Sequence, residues 1–307
     1  MPLIVRTVAD LRALTDGWRA AGDFSALVPT MGALHEGHLT LVKAAHVRAK
    51  RVVVSIFVNP KQFAANEDLA RYPRDEDGDA ALLDDAGADA IYAPAPDQIY
   101  AKGFALTVSM AGPARVGLED KFRPHFFDGV ATVVAKLFTQ ARTNFAFFGE
   151  KDFQQLRVVT QMARDLDLPI EVIGVPTVRE PDGLALSSRN RYLSRLERPR
   201  AAILIRVLRE TAEKIRAGMG QSAATAAARR TLTNQGFQVD YVSARHAETL
   251  EHTDDAEAPL RLLAAAWLGA TRLIDNIPVI APEAAAAPPG EHFAVKPRRK
   301  IKIIRQA

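Results

Sequence analysis

The sequence of 307 residues contains no cysteine. This absence excludes disulfide bonds, thiolate nucleophiles, iron–sulfur clusters and cysteine-ligated zinc, so any metal must be held by oxygen or nitrogen ligands. Aromatic residues are scarce at 7%, whereas hydrophobic residues make up 48% and charged residues 25%, a balance typical of a soluble globular protein. At roughly 100 to 200 residues per domain, the length predicts about two domains.

Long apolar runs are also lacking. The first apolar run spans only four residues and is followed by Asp10 and Asp16, which does not match the pattern of a secretory signal. The longest candidate for a membrane span, 262–270, is bounded by Arg261 and Arg272 and is far shorter than the eighteen or so residues required. We therefore expect a cytoplasmic protein that has no membrane partner.

The net charge of +4 is confined to the end of the chain. Residues 281–307 carry six basic and two acidic side chains, so residues 1–280 are neutral overall. The segment opens with APEAAAAPPGE, a composition typical of a linker or a mobile end, and a phosphate-binding arm is the alternative interpretation. Because the body is neutral, we expect no nucleic-acid partner.

Short apolar, β-branched runs alternate with helical patterns in the first part of the chain. The pattern predicts strands at 25–30, 51–58, 89–94, 144–149 and 170–178, and helices at 38–50, 81–87, 129–141 and 152–167. Such alternation is typical of an α/β fold with a doubly wound parallel sheet. Sheets of this kind bind ligands at the carboxyl ends of their strands, where the chemically informative residues should lie.

A different pattern follows the loop at 180–194. Two helical stretches rich in Ala and Arg, at 195–217 and 221–235, precede two strand-like runs at 237–245 and 261–269. This order predicts a smaller C-terminal α+β domain.

The first predicted strand ends in the segment MGALHEGH. Gly32 permits a tight turn there, Gly37 lets the backbone approach a ligand, and the N–H groups at the following helix start suit an anion. His35 and His38 would face the same anion. The alternatives are a zinc helix, which requires histidines four residues apart, and an unrelated, locally bonded pair. His-x-Gly-His at a strand-to-helix turn resembles the signature of the adenylate-forming nucleotidylyltransferase superfamily.

Polar side chains also follow the other predicted strands. Asn59 and Gln62 suit a small polar substrate, or else stabilise an Asn-Pro turn. Lys151 is placed to meet phosphate, whereas Asp152 could accept ribose hydroxyls or cap the next helix. The SSR tripeptide, 187–189, offers two hydroxyls and a guanidinium to a departing pyrophosphate.

Six motifs in this order give a more specific resemblance. They are PTMGALHEGH, SIFVNPKQF, YPRDEDGD, FFGEKDFQQL, VPTVREPDGLALSSRN and ATRLIDN. Together they resemble the pantoate:β-alanine ligase family over about residues 1–277. The resemblance implies a homodimer that condenses pantoate with β-alanine at the expense of ATP, in coenzyme A synthesis. It also implies a Rossmann-like ATP- and pantoate-binding domain at 1–183 and a lid domain at 184–280, which leaves 281–307 as a basic tail.

The resemblance assigns roles residue by residue. The catalytic residues it implies are His35, His38, Lys151, Ser187, Ser188 and Arg189. The ATP site it implies is Met31, Gly32, His35, His38, Gly149, Lys151, Asp152, Val178, Leu186, Ser187, Ser188 and Arg189. Substrate contacts fall on Phe57, Asn59, Gln62 and Gln155, and Mg²⁺ on Asp79, which could instead solvate a helix start. Leu186 stands where the family usually has Met, and Gly78 where some members have Asp.

The expected reaction proceeds through pantoyl adenylate, with release of pyrophosphate and then AMP. The alternative enzyme is a simple nucleotidylyltransferase that transfers AMP to a phosphorylated acceptor and stops. A nucleotide-gated or RNA-binding protein that uses the basic tail is the alternative from another functional class.

Overall fold

Six parallel strands form the central sheet of the protein. The computed structural model describes residues 1–63, 69, 72–255 and 258–279. The strands are β1 (Leu3–Val5), β2 (Ser25–Thr30), β3 (Arg51–Ile56), β4 (Ala90–Tyr92), β5 (Phe145–Gly149) and β6 (Glu171–Val175). Their order across the sheet is β1-β4-β3-β2-β5-β6. The direction of winding reverses between β2 and β5, and this switch point is where such sheets bind ligands.

Helices cover both faces of this sheet. They are α1 (Val8–Ala20), α2 (Glu36–Arg48), α3 (Glu76–Asp85), α4 (Pro96–Ile99), α5 (Glu119–Phe122), α6 (Phe126–Ala141) and α7 (Phe153–Asp165). Leu27 and Val53 pack in one apolar cluster with α1, α6 and α7. Their neighbours Val28 and Val52 pack in a second cluster with α2 and α3. Consecutive apolar residues in these strands therefore reflect burial on both faces.

A smaller antiparallel sheet follows. It consists of β7 (Gln238–His246), β8 (Leu260–Leu268) and β9 (Thr271–Val279), preceded by α8 (Glu197–Ala201), α9 (Ile203–Arg216) and α10 (Gln221–Asn234). Leu262 of β8 packs against α9 and α10, whereas Leu263 belongs to the core beside the parallel sheet. The small sheet is therefore covered by its own helices on one face and by the larger unit on the other. The predicted basic tail, 281–307, lies outside the described residues.

The predicted fold class is confirmed, with local differences. Helix α2 begins at Glu36 instead of near His38, and β3 ends at Ile56, two residues earlier than predicted. The sequence pattern missed β1, which has only three residues, and β9, whose buried Asp275 and Asn276 interrupt the apolar pattern. In the described part of the chain, no helix has the length and apolar character of a membrane span.

Candidate active site

The connection from β2 to α2 turns sharply because two consecutive residues have left-handed backbone conformations. Gly32 has φ +80° and Ala33 has φ +52°. A Cβ at Gly32 would lie 2.9 Å from Oδ2 of Asp79, so space and conformation both require glycine. The buried Asp79 carboxylate, on α3, accepts hydrogen bonds from the N–H groups of Ala33 at 2.9 Å and Leu34 at 2.8 Å. Asp79 therefore stabilises this loop through both of its carboxylate oxygens. Burial raises the pKa of this carboxyl group.

Two histidines cap the start of α2. Nδ1 of His35 accepts a hydrogen bond from the Gly37 N–H at 3.2 Å, and Nδ1 of His38 accepts one from the His35 N–H at 3.3 Å. The two ring centroids are 4.1 Å apart. A Cβ at Gly37 would lie 3.0 Å from the His35 ring. This glycine thus makes room for the imidazole, and it also lines the cavity at the switch point, where the sequence predicted that it makes room for a ligand.

Both imidazoles are neutral at physiological pH. Burial, followed by the positive charges of Lys151 and Arg191, lowers the pKa of His35 to about 4. Burial, followed by the charges of His35 and Lys151, lowers the pKa of His38 to about 3. Because each Nδ1 accepts a backbone N–H, the hydrogen bonds assign the single proton of each ring to Nε2. The pair therefore offers two neutral N–H donors.

A second turn at the switch point follows β5. Gly149 leads into a single 3₁₀ turn, Glu150–Asp152, and α7 begins at Phe153. Residues 149–152 are termed the lysine turn. Lys151 Nζ lies 3.7 Å from Oδ2 of Asp152 and is close enough to both histidines to lower their pKa values. Asp152 occupies the N-cap position of α7, but its side chain makes no capping hydrogen bond there.

Gln62 is held in place by its neighbours. Asn59 is 1% exposed, and its Nδ2 donates to Oε1 of Gln62 and to the Gly129 carbonyl, both at 3.1 Å. Its Oδ1 accepts from the Tyr100 hydroxyl at 2.7 Å and from a backbone N–H of the following turn. The Asn59 amide is thus fully used within the protein and orients Gln62. Nε2 of Gln62 donates to Sδ of Met31 at 3.0 Å, a weak acceptor that a substrate oxygen can replace.

The SSR segment lies beside the end of β6. The Leu186 N–H donates to the Val178 carbonyl at 3.0 Å, so these two residues are adjacent across the loop. Ser187 precedes a 3₁₀ turn, and its hydroxyl accepts a hydrogen bond from the Arg189 N–H at 3.3 Å. The segment is therefore a structured turn that lies beside the loop following β6.

The sequence analysis missed two polar groups on the same wall. Oγ1 of Thr177 and Oδ1 of Asn190 are buried, and neither has a hydrogen-bond partner among the residues described. Both residues line the cavity at the switch point. A buried polar atom without a partner is costly, so each is a candidate ligand contact. Thr177 was missed because the predicted strand extends to residue 178, whereas β6 ends at Val175. Asn190 could have been found because it directly follows SSR.

One cavity of about 830 Å³ brings most of the predicted residues together, and its size suits a small-molecule site. The predicted site residues that line it are Met31, His35, His38, Phe57, Asn59, Gln62, Gly149, Lys151, Asp152, Gln155, Val178, Leu186, Ser187, Ser188 and Arg189. Gly32 and Asp79 do not line this cavity. Gly32 lies in the loop between β2 and α2, and Asp79 is hydrogen-bonded to the backbone of that loop.

Comparison with known proteins gives concordant results. A sequence profile of the family described as pantoate-beta-alanine ligase matches residues 3–278. Pantothenate synthetase 2 of Bradyrhizobium diazoefficiens is 58% identical over 279 residues, which cover 91% of this chain and 99% of that protein. A pantothenate synthetase of Rhodopseudomonas palustris is 57% identical over the same shares of the two chains.

Solved structures agree with these relatives. The pantothenate synthetase of Thermus thermophilus is 46% identical with a TM-score of 0.84, covering 90% of this chain and 99% of that chain. The pantoate-beta-alanine ligase of Francisella tularensis, complexed with beta-gamma ATP and beta-alanine, is 30% identical with a TM-score of 0.76, covering 91% and 98%. The resemblance carried by the six motifs is confirmed: this chain belongs to the pantoate-β-alanine ligase family and is a ligase of that specificity.

Proposed function

We propose that the cavity binds ATP and pantoate side by side and that the chain forms pantothenate in two steps through pantoyl adenylate. The observation that carries this proposal is that one cavity brings together three side chains suited to bind phosphate and two glutamine amides. The phosphate-binding side chains are His35, His38 and Lys151, and the amides are those of Gln62 and Gln155. The Francisella tularensis relative, complexed with beta-gamma ATP and beta-alanine, supports the choice of ligands.

In the first step, a carboxylate oxygen of pantoate attacks the α-phosphorus of ATP. The new P–O bond forms as the bond to the pyrophosphate oxygen breaks, which gives pantoyl adenylate and pyrophosphate. Gln62 and Gln155 hold the pantoate, and Gln62 enters this role already oriented by Asn59. Phe57, on the same wall, supplies an apolar surface for the methyl groups of pantoate. Such placement of both reactants lowers the entropic part of the barrier.

The histidines act in this step as hydrogen-bond donors. Each neutral ring presents Nε2–H, and the low pKa of His38, about 3, leaves no titratable proton to give as a general acid in the free enzyme. Donors fixed before the reaction stabilise the charge that develops on the transferring phosphate. Lys151 adds a positive charge beside them, and Ser188 with Arg189, which line the same cavity, binds the departing pyrophosphate.

The remaining wall residues form the nucleotide subsite. Met31, Gly149, Val178 and Leu186 surround the adenosine, Asp152 accepts ribose hydroxyls, and the Ser187 hydroxyl fixes the SSR turn. Thr177 and Asn190 offer their unpaired oxygens to the same ligand. Gly32 contributes through the left-handed conformation that lets Met31 and His35 face the cavity.

In the second step, the amine of β-alanine attacks the acyl carbon of the adenylate. The C–N bond forms, the bond from the acyl carbon to the AMP oxygen breaks, and the amine loses a proton. Water must be kept from the adenylate during this step, because hydrolysis would waste ATP.

Mg²⁺, which prefers oxygen ligands, would accompany ATP and would help to neutralise the charge of its phosphates. Asp79 does not fit a direct ligand well, because both of its oxygens accept loop N–H groups and it lies outside the cavity. Among the described residues, no three His, Asp or Glu side chains are grouped as a metal site. We assign Asp79 to loop support.

The proposal also covers the two domains, the oligomeric state and the cellular location of the protein. Residues 1–183 form the ATP- and pantoate-binding domain, and residues 184–280 form a lid over the adenylate. We expect a homodimer in solution, which sedimentation would detect, and a cytoplasmic location, where ATP is available for biosynthesis.

Product analysis tests the function. AMP release should require ATP, Mg²⁺, pantoate and β-alanine together, whereas exchange of labelled pyrophosphate into ATP should require only pantoate. AMP release with pantoate omitted would contradict the adenylate. Exchange without either acid would favour a nucleotidylyltransferase with another acceptor.

A further inference from the structure

A side-chain amide of the C-terminal sheet is hydrogen-bonded to the backbone of the lysine turn. Asn276 lies on β9 and is 2% exposed. Its Nδ2 donates to the carbonyl oxygens of Glu150 and Lys151, both at 2.9 Å. These two carbonyls belong to the lysine turn, so one side chain from the C-terminal unit is hydrogen-bonded to the backbone that carries the Lys151 ammonium.

A buried arginine fixes the orientation of this amide. Nε of Arg261, on β8, donates to Oδ1 of Asn276 at 2.7 Å. Since a guanidinium cannot accept a hydrogen bond, Oδ1 must face Arg261 and Nδ2 must face the two carbonyls. Nη2 of Arg261 also donates to the Glu150 carboxylate at 2.9 Å, and its guanidinium lies 4.1 Å from the centre of the Phe153 ring.

Beyond Gly149, the lysine turn has little side-chain support from its own segment. Gly149 pairs with Val175 at the end of the parallel sheet, but the side chain of Asp152, which precedes α7, makes no capping hydrogen bond. The flexible Lys151 side chain depends on its backbone for direction, because an ammonium on a four-carbon stem has no fixed geometry. The contacts from Asn276 and Arg261 therefore supply the constraint that the local sequence lacks.

We propose that Asn276 is a positioning residue for Lys151, through which the C-terminal unit takes part in adenylate formation itself. This inference rests on the proposed role of Lys151 at the triphosphate. A C-terminal unit that served only as a cover would act after the adenylate had formed. An amide bound to the lysine turn instead affects the first step, before β-alanine reacts.

The test is pantoate-dependent pyrophosphate exchange in the full-length protein. Asn276→Ala and Asn276→Asp remove both donors to the turn, and each should lower the exchange rate at saturating substrates about 10-fold or more. The KM for pantoate should change less than about 2-fold, since Gln62 and Gln155 are untouched. The matched control is Asn144→Ala, which removes a 2.9 Å bond from the Ser25 N–H at the opposite end of β5 and should change exchange less than about 2-fold.

A double-mutant cycle separates positioning from general loosening. With Lys151→Ala already present, Asn276→Ala should cost less than about 2-fold further, because the group it positions is gone. Equal fold-losses in the two backgrounds would overturn the inference, as would unchanged exchange in Asn276→Ala. If Lys151→Ala alone leaves exchange intact, the inference falls while the ligase function stands. If the wild-type protein shows no pantoate-dependent exchange, the proposed function falls with it.

Discussion

Asp79 gives the sharpest test of how the loop between β2 and α2, which leads to His35, is held. Replacing it with Asn keeps the side-chain volume but leaves one acceptor oxygen for two N–H groups, those of Ala33 and Leu34. The lost charge-assisted hydrogen bond is worth about 1.5 to 3 kcal/mol. Ala33, at φ +52°, loses part of the support for its left-handed conformation. At 1.4 kcal/mol per factor of ten, we expect kcat/KM for ATP to fall about 10- to 100-fold.

The assay is pantoate-dependent pyrophosphate exchange at varied ATP and Mg²⁺. The matched control is Asp75→Asn, which removes the same charge from the same acidic run. Asp75 caps α3 by accepting the Gly78 N–H at 3.0 Å, and an Asn oxygen can still accept this bond, so the control should change both stability and kcat/KM little, the latter less than about 2-fold. Restoration of the Asp79→Asn activity by excess Mg²⁺ would refute loop support and favour a metal ligand.

Three further predictions follow from the same contacts. His38→Ala should slow single-turnover adenylate formation about 10²- to 10³-fold, since one oriented donor is lost, and an unchanged rate would remove His38 from the mechanism. Asn59→Ala should raise the KM for pantoate about 10-fold, because Gln62 loses its anchor, while the KM for ATP stays within about 2-fold; the reverse pattern in steady-state kinetics would contradict this. The folded-state pKa values of His35 and His38 lie below the unfolded value, so their contribution to stability is present above pH 6.5 and is lost towards pH 4 and 3. Denaturant titrations should show the free energy of unfolding falling by about 1.4 kcal/mol per pH unit per histidine in this range, with a smaller slope in His38→Gln; equal slopes would reject the assignment.

Much of the site could be predicted because the fold places strand ends together. His35, Gln62 and Lys151 each follow a predicted strand by a few residues, and parallel strands bring their carboxyl ends to one edge. The sequence thus indicated which side chains share a cavity without any knowledge of their contacts. Thr177 was missed because its strand was predicted to extend to residue 178, whereas β6 ends at Val175.

The roles of individual groups were harder to predict because one residue type serves several ends. A carboxylate such as Asp79 suits a metal or two N–H groups equally well, and only the loop conformation decides between them. Asn59 suits a substrate or a turn for the same reason. The protonation of His35 and His38 depends on burial, which no local pattern specifies. Asn276 lies 125 residues beyond Lys151 in sequence, so their contact is a product of the tertiary fold.

The position of β9 near the end of the described chain also affects the order of assembly. During synthesis, the strands on both sides of the switch point emerge well before residue 276, and units of a chain generally fold as they become available. Closing the long loop between the lysine turn and β9 has an entropic cost, which the contacts of the small sheet offset only when that sheet docks. Nascent or truncated chains would therefore have a folded parallel sheet with both histidines in place beside it, while the turn of Lys151 would still lack its hydrogen bonds from Asn276. Competence to activate pantoate is thus acquired only after residue 276 has been made and the small sheet has docked.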